Sequence, residues 1–467
     1  MMIQSVALDV AHVSAQNGRM SETNEPTKPP KKTSSVRHTR AIQRDRSKRP
    51  NAAPPDEQIA DRLREIVHPA TLTQVAHYHS LGLRQRTLTL PVMVALVLSM
   101  VWRHIGSVTE LTKMMMTKGL LWATARKVSQ QALSERLRTF PSVLFLRVFL
   151  DILPLMETRW KSRHRPLPPE IAWAQERYTE VVVQDGSTLD VLLRKVGLLR
   201  DAETNPLAGR MTALLDLCSR LPRHIWYEED AQAHDQRFWP RILEVLKTGS
   251  LLLFDLGYTN FGVYAQLTTN SITFITRAKS NLVYEVERHL RRTAQVHESL
   301  VWIGKGEDRQ LVRLIQVMYE GKMYRYLTNE LDTERLPAPY VVALYWQRWR
   351  IEDAYNIVKR LLGLAYFWVG SQNGVELQLW ATWLLYTVLV DLTDAIAEHL
   401  NKPFAALSVE MVYRSIYYFT EAYHDGEAED PVVYLAENAK LLGVVKRDRK
   451  HRPSPLEFLD LTDSSIP

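Results

Sequence analysis

Two short apolar runs, each followed at once by an aspartate and a turn, constrain the fold of this chain more than any other feature. The first is Val181-Val-Val-Gln-Asp185-Gly-Ser-Thr and the second is Leu251-Leu-Leu-Phe-Asp255-Leu-Gly-Tyr. Continuous aliphatic runs of this length are typical of strands that are buried on both faces of a sheet. Because the carboxyl ends of neighbouring strands border the ligand crevice of an open sheet, we expect Asp185 and Asp255 to converge there. Either aspartate alone indicates little, since Asp after a strand is also ordinary turn chemistry.

A third acid lies in a later segment with helical periodicity. The segment from Ala343 to Lys359 contains no Gly or Pro, and its polar residues Tyr345, Arg348, Glu352 and Lys359 are spaced by three, four and seven positions. On a continuous helix these four residues fall within roughly 60° of one stripe. The same spacing is also compatible with a merely solvated face. The other side is apolar and predicts burial of Leu344, Ile351, Ala354, Val358, Leu361 and Leu362.

The combination of these residue types indicates chemistry on a phosphodiester. Two Asp and one Glu supply the hard oxygen ligands that Mg²⁺ prefers, and Mn²⁺ is an expected substitute. Such carboxylates can hold two ions about 3.5–4 Å apart, which serve the attacking and the leaving oxygen of an in-line displacement. The flanking cations and the phenol suit a nucleic-acid backbone.

With these blocks the chain resembles the DDE transposases of bacterial insertion sequences, specifically the group called IS-four. The helix signature of that group is Tyr, two residues, Arg, three residues, Glu, six residues, Lys, and Tyr345, Arg348, Glu352 and Lys359 match it at every spacing. Asp185-Gly-Ser-Thr resembles the first acid block of the group. Asp255-Leu-Gly-Tyr resembles the second, although Arg is frequent where this chain has Leu256. The resemblance covers roughly residues 90 to 400.

The resemblance implies an RNase H-like catalytic domain and a cut-and-paste reaction. Water would free a 3′-OH at the end of the element, in some members by way of a hairpin, and that hydroxyl would attack target DNA. Asp185, Asp255 and Glu352 would be the catalytic metal ligands, whereas Tyr345, Arg348 and Lys359 would hold phosphates. The implied partners are double-stranded DNA, both terminal repeats and target, and a second copy of the chain in the synaptic complex.

The predicted fold class is α/β, with an RNase H-like catalytic domain that carries a β-rich insertion. A helical DNA-binding domain precedes this domain, and a helical C-terminal region follows it. The predicted divisions are a disordered basic tail at 1–55, the helical domain at 56–165, the catalytic domain at 166–282 and 335–400, the insertion at 283–334 and the C-terminal region at 401–467.

Within the catalytic domain we expect strand, strand, strand, helix, strand, with the first and fourth strands side by side. That adjacency would bring the two aspartates together. The expected strands after Asp185 are 189–193, 212–219, 223–227, 251–255 and 271–277, with a helix at 235–247 that stops at Gly249.

Further DNA contacts are expected outside the signature. Arg277 and Lys279 follow the predicted strand at 271–277. Members of the resembled group sometimes hold a flipped base on a Trp of the insertion, for which Trp302 is the candidate; a sheet-face aromatic is an equally good interpretation. The segment Val128–Arg138 predicts a Ser-capped helix that either reads the DNA end, as in a helix-turn-helix unit, or is a surface helix.

Charge and composition exclude several other classes. The net charge of +7 is concentrated in Lys28–Arg49, which holds nine Lys and Arg against one Asp, so the rest of the chain is near neutral. The basic segment either adds salt-sensitive DNA affinity or is only a solvated leader. The single Cys218 excludes an internal disulfide and a multi-Cys zinc site, which suits a reducing cytoplasm. The apolar stretches 88–102 and 377–390, the second ending at Asp391, are interpreted as buried helices rather than membrane spans.

Two other functions compete with transposition. One is an RNase H-like DNA endonuclease that cuts but does not join, and the helix signature argues against it. The other is a noncatalytic DNA-binding relic of a transposase, and the presence of all three acids argues against that decay.

Overall fold

A mixed α/β architecture with one large sheet underlies the chain. The computed structural model describes residues 57–83, 86–190, 207–230, 233–364, 367–368, 371–447 and 453–459. The predicted basic tail lies outside the described residues.

The first third of the described chain is helical, as predicted. Its helices are α1 Glu57–Thr73, α2 Val75–Ser80, α3 Leu90–Trp102, α4 Val108–Thr117, α5 Gln130–Thr139, α6 Ser142–Ser162 and α7 Pro169–Arg177. Helix α3 is buried along almost its whole length, as its apolar composition predicts. The predicted Ser cap of α5 is confirmed, because the Ser129 hydroxyl accepts a hydrogen bond from the Ala132 N–H at 3.1 Å.

The sheet has nine strands among the described residues, in the order β3-β2-β1-β4-β5-β9-β8-β7-β6. Strands β1, β4 and β5 are parallel, and the other neighbours are antiparallel. The predicted adjacency of the first and fourth strands is therefore confirmed. The bounds are β1 Val181–Asp190, β2 Leu207–Asp216, β3 Pro222–Glu228, β4 Leu251–Phe254, β5 Thr273–Arg277, β6 Glu285–Arg292, β7 Val296–Ile303, β8 Gln310–Tyr319 and β9 Lys322–Thr328.

One local prediction in this region is wrong and another is confirmed in part. Residues 189 and 190 do not begin a second strand, because β1 continues through Asp185 to Asp190 while β2 pairs along it; residues 191–193 lie outside the described part. The predicted helix at 235–247 is confirmed over α8, Trp239–Val245, whereas its first turn, Asp235–Phe238, is a 3-10 helix. Gly249 adopts a φ of +81°, so the chain turns there without strain before it enters β4. Helix α9, Phe261–Thr269, then connects β4 to β5.

The β-rich segment continues the same sheet. Strand β9 pairs antiparallel with β5, so β6 to β9 extend the sheet beyond the parallel strands. Strand β6 was not predicted, because its sequence Glu285–Arg292 is mostly charged and exposed and shows no apolar alternation. It lies at the edge of the sheet, where burial is not required.

The predicted continuous helix over 343–359 is broken into three pieces. Helix α10 is Ala338–Trp346, α11 is Trp349–Asn356, and a π-helical turn spans Ile357–Leu361. At the break, the Arg348 N–H bonds to the Tyr345 carbonyl three residues back, at 3.0 Å, which tightens the turn. The predicted single polar stripe is therefore wrong in detail. The predicted apolar side is confirmed, since all six of its residues are buried.

Helix α12, Gln372–His399, contains the predicted buried stretch and continues past Asp391, where that apolar stretch ends. Asp391 and Asp394 are buried, but ion pairs with Arg163 at 2.7 and 3.1 Å neutralise them, so the helix continues. Among the described residues, α12 alone is by itself long and apolar enough to cross a membrane, and α5 with α6 meets that test only across a 68° bend. The most apolar window of α12 is 94% buried inside the protein, as expected of a core helix.

The C-terminal helices pack onto this core. They are α13 Val409–His424, α14 Pro431–Glu437 and α15 Pro455–Phe458. Helices α13 and α14 contact α12, and Phe458 of α15 packs on Trp346 of α10 with ring centroids 5.9 Å apart. The last described segment thus supports the helix that carries Tyr345.

Candidate active site

Asp185 lies within β1, with its carboxylate facing α11. Its Oδ1 accepts a hydrogen bond from the Gly186 N–H at 2.8 Å, and its Oδ2 accepts one from Arg348 Nη1 at 3.3 Å. The Tyr355 hydroxyl donates to the Asp185 carbonyl at 2.6 Å and accepts from the Ala213 N–H at 3.0 Å. Tyr355 therefore joins α11 to β1 and β2. Sequence reasoning missed this residue, and its only signal was its position three residues after Glu352.

The carboxyl group of Asp185 is shifted toward its neutral form. Burial raises its pKa to about 6, against the opposing influence of Arg348 and the Gly186 N–H. The negative charges of Glu352 and Asp255 add to the rise. Asp185 thus lies within the electrostatic field of both other predicted acids.

Asp255 directly follows β4, and its partner is the phenol of Tyr345. The Tyr345 hydroxyl donates to Asp255 Oδ1 at 3.2 Å, and its ring packs against Tyr326 with centroids 5.3 Å apart. Burial and the charge of Asp255 raise the pKa of Tyr345, so the phenol stays a neutral donor. Tyr345 is buried and bound to an acid rather than displayed on a solvated face.

One guanidinium connects two of the three acids. Arg348 is buried, and its Nη2 donates to Glu352 Oε1 at 2.8 Å while its Nη1 contacts Asp185. Its guanidinium also lies 5.8 Å from the ring of Tyr345 and 5.4 Å from the ring of Trp349. Arg348 therefore compensates the negative charge of the cluster.

Lys359 completes the group from the π-helical turn. Its Nζ donates to the Thr188 carbonyl at 2.7 Å and to the Ser187 Oγ at 3.2 Å. Side chains at alternate positions of a strand share a face, so Ser187 lies on the same side of β1 as Asp185. The structure thus brings all four signature residues to the part of the sheet that carries Asp185 and Asp255.

The other predicted DNA contacts lie around or away from this group. Arg277 is the last residue of β5, and its guanidinium lies 5.8 Å from the centre of the Tyr324 ring. Its positive charge acts to lower the pKa of Tyr345. Lys279 is exposed. Trp302 lies on β7, separated from β5 by β8 and β9. Its Nε1 donates to Glu287 at 2.8 Å and Arg309 stacks 4.4 Å from its ring, so it lies on the sheet face.

The acids suit a divalent cation by their chemistry. Within the described ranges, no three His, Cys, Asp or Glu side chains stand close enough in this arrangement to hold one ion together. The donors are carboxylate oxygens, which match Mg²⁺ or Mn²⁺, and burial, with a smaller addition from the charges of Glu352 and Asp255, raises the pKa of Asp185. A cation bound there would compete with Arg348 for the oxygens of Asp185 and Glu352.

The pKa of Asp185 predicts a pH-dependent stability difference. Below pH about 4 this carboxyl is largely protonated in both the folded and the unfolded chain. Between pH about 4 and 6 it ionises in the unfolded chain but stays protonated in the folded one, so the folded state loses stability across this window, and the loss levels off above pH 6. In EDTA, Asp185→Asn should therefore be more stable than the wild type at pH 7.5, by about 1–3 kcal/mol, and equal to it near pH 4. Thermal unfolding from pH 4 to 8 measures this difference. A difference that is independent of pH would contradict the prediction.

Comparison with known proteins shows which family part of this chain is similar to. Residues 207–388 match the family model described as the transposase DDE domain. The matched span contains Asp255 and all four signature residues, and begins after Asp185. This part of the chain is thus similar to the catalytic domain of DDE transposases.

One curated protein and one solved structure are also similar to parts of this chain. The transposase-named protein y4zB of Sinorhizobium fredii (strain NBRC 101917 / NGR234) is 27% identical over 205 residues, which are 38% of this chain and 54% of that protein. The chain therefore spans about half the length of the curated relative it matches. Among solved structures, the piggyBac transposase synaptic complex with hairpin DNA covers 83% of this chain and 84% of its own, with 10% identity and a TM-score of 0.38.

Proposed function

We propose that this protein is a DNA transposase of the DDE type, related to the IS-four group, that cuts the ends of an insertion sequence and joins the 3′-OH to target DNA. The observation that carries the proposal is the contact between the signature residues and the two aspartates of the sheet. Tyr345 binds Asp255, and Arg348 binds both Asp185 and Glu352. A family match over residues 207–388 supports the same class.

The sheet supports an RNase H-like catalytic fold. Its part β3-β2-β1-β4-β5 consists of an antiparallel meander followed by two parallel strands, with the first and fourth strands adjacent. Asp185, where the parallel pairing of β1 with β4 ends, and Asp255, directly after β4, then lie near an acid from a following helix. This is the arrangement that a phosphoryl-transfer site of this kind requires.

Each residue has a distinct role in the proposed reaction. Asp185, Asp255 and Glu352 would hold the divalent ions, which supply activation of the attacking oxygen and stabilisation of the leaving oxygen. Arg348 and Lys359 neutralise charge on the phosphate that is cut. The Tyr345 hydroxyl orients the Asp255 carboxylate by its hydrogen bond.

The test of this function is a cleavage and joining assay. The full chain is incubated with Mg²⁺ and labelled DNA that carries the flanks of its own gene, together with a target plasmid. We expect cuts at the element end and covalent joining of the 3′-OH strand, both lost in EDTA. Cleavage without joining would select the endonuclease, and DNA binding without cleavage would select the noncatalytic relic.

The signature cations give a second prediction. Lys359→Ala should slow the steps after the first cut by about 10- to 100-fold, because the cleaved strand loses a phosphate contact, while metal binding is kept. Arg348→Lys should also be harmful, since a point charge cannot reproduce two directed contacts. Single-turnover assays on intact and pre-cut ends measure these steps, with exposed Arg360→Ala as the matched control. Wild-type rates in Lys359→Ala and Arg348→Lys would show that these two signature cations take no part in the reaction.

Assembly follows from the chemistry. Two element ends must be cut and joined to one target, so we propose a homodimer in the complex with double-stranded DNA, in which Arg277, Lys279, Trp302 and α5 contribute DNA contacts. Light scattering should show two chains per pair of end fragments. Complete cutting and joining by a single subunit would contradict this prediction.

A further inference from the structure

Backbone hydrogen bonds between β1 and β4 do not by themselves set the distance between Asp185 and Asp255. The parallel pairing of β1 with β4 ends at Gln184 and Phe254, one residue before Asp185 and Asp255. Beyond this point β1 goes on with β2, whereas the chain after β4 enters a 3-10 turn, Leu256–Tyr258. Contacts between side chains must therefore keep the two acids at a constant separation. Arg348 and Tyr345 supply contacts on the side of α11.

Several polar groups lie on the opposite face of the sheet from the Asp185 carboxylate. Gly186 points away from the side of Asp185, because successive strand positions face opposite ways. A β-carbon added there would overlap Oδ1 of Asp235, and would lie 3.0 Å from the Tyr258 hydroxyl and 3.1 Å from Arg210 Nη2. The missing side chain of Gly186 thus makes room for the Asp235 carboxylate.

The same carboxylate also packs behind the second acid. A β-carbon added to Gly257, two residues after Asp255, would lie 3.0 Å from Asp235 Oδ2. Its two oxygens therefore lie against the glycine that follows Asp185 and the glycine that follows Asp255. Asp235 fills the gap beyond the last backbone pair of β1 and β4.

Asp235 is itself held firmly. It forms an ion pair with Arg210 of β2, and both side chains are about one-fifth exposed. The next residues are fastened to the turn after Asp255, since Gln236 Nε2 donates to the Thr259 carbonyl at 2.9 Å and Trp239 Nε1 donates to the Tyr258 carbonyl at 3.1 Å. These bonds tie the segment that carries Asp235 to that turn, and the ion pair with Arg210 holds its carboxylate.

We propose that Asp235, neutralised by Arg210, is a positioning residue that sets the separation of Asp185 and Asp255 from behind the sheet. It acts through the backbone at Gly186 and Gly257, and it does not touch DNA or the ions. The inference rests on the proposed function, because the separation matters only if the two acids bind metal together.

The first experiment measures metal binding with and without this support. Mn²⁺ alone is titrated into the full chain and followed by electron paramagnetic resonance, and the Mg²⁺ dependence of DNA cleavage is measured in parallel. Asp235→Asn should weaken Mn²⁺ affinity and raise the Mg²⁺ concentration for half-maximal cleavage by about tenfold, with end binding unchanged. Arg210→Lys should have a smaller effect in the same direction. The matched control is Asp230→Asn, which removes an exposed pair with Arg237 in the same region and should behave as wild type.

A second experiment tests the packing by thermal unfolding and needs no activity assay. Gly186 has no positive φ, so alanine fits its backbone and only space opposes it. Gly186→Ala should lower Tm by about 4 °C in the native background, and by clearly less when Asp235→Ala has opened the space. Equal losses in both backgrounds would show that Asp235 does not fill this gap, and would overturn the proposal.

The outcomes separate this inference from the proposed function. Folded Asp235→Asn with wild-type Mn²⁺ affinity and Mg²⁺ dependence overturns the inference alone. Absence of both Mn²⁺ binding and cleavage in the wild type overturns the proposed function, and this inference falls with it.

Discussion

Replacement of Glu352 by glutamine should abolish DNA cleavage while binding of the element ends is retained. The substitution keeps the size and a hydrogen-bond acceptor for Arg348, which donates to Glu352 at 2.8 Å, but it removes the charge that a divalent ion requires. Asp255→Ala and Asp185→Ala should have the same result. We expect cleavage to fall by about a thousandfold or more in each variant, because the acids act as one unit.

The neighbouring acid provides the control for this experiment. Asp353 adjoins Glu352 but is exposed, so Asp353→Asn should leave the rate within about twofold of the wild type. Cleavage is measured in single-turnover assays with Mg²⁺ and with Mn²⁺, and end binding by mobility shift. Substantial Mg²⁺-dependent cleavage by Asp255→Ala would exclude the three acids as the metal site.

Loss of Arg313 should destabilise the chain more than loss of any exposed cation. Arg313 of β8 and Glu298 of β7 are both fully buried, with Arg313 Nε 3.7 Å from Glu298 Oε2. Burial lowers the pKa of Arg313 and raises that of Glu298, while their mutual attraction opposes both shifts. Arg313 also donates to the carbonyls of Asp332 and Leu336, which lead into α10. Arg313→Ala should lower the free energy of unfolding by about 3–5 kcal/mol, because it leaves buried groups unpaired.

Urea unfolding at constant ionic strength measures this effect. Arg309→Ala is the matched control, because its pair with Glu285 at 3.0 Å is exposed and should contribute less than about 1 kcal/mol. The double variant Glu298→Ala with Arg313→Ala should be less destabilised than the sum of the two single variants. Additive losses would mean that the two buried charges do not compensate each other.

Local sequence was enough to predict the features that depend on near neighbours along the chain. The aliphatic runs before Asp185 and Asp255 form adjacent parallel strands, and the apolar side of the 343–362 segment is buried. The Ser129 cap is also local, since it needs only a hydroxyl three residues before a free N–H. In each case a few consecutive residues determine the pattern of burial or hydrogen bonding.

Other features had to wait for the tertiary structure because their partners are distant in sequence. Asp391 does not end α12, since Arg163 neutralises it from more than two hundred positions away. Strand β6 forms by backbone pairing with β7, whereas the charged sequence of β6 does not by itself predict a strand. Periodicity describes an isolated helix and cannot include such partners.

The sequence by itself thus determined which residues form the candidate site: Asp185, Asp255, Glu352 and the signature cations. Tertiary structure decided how they are held. It broke the signature helix at Arg348, turned Tyr345 inward onto Asp255, and put Asp235 behind Gly186 and Gly257. The physical reason is that residue type and spacing specify chemistry, whereas the position of each charge depends on packing against groups far away in the chain.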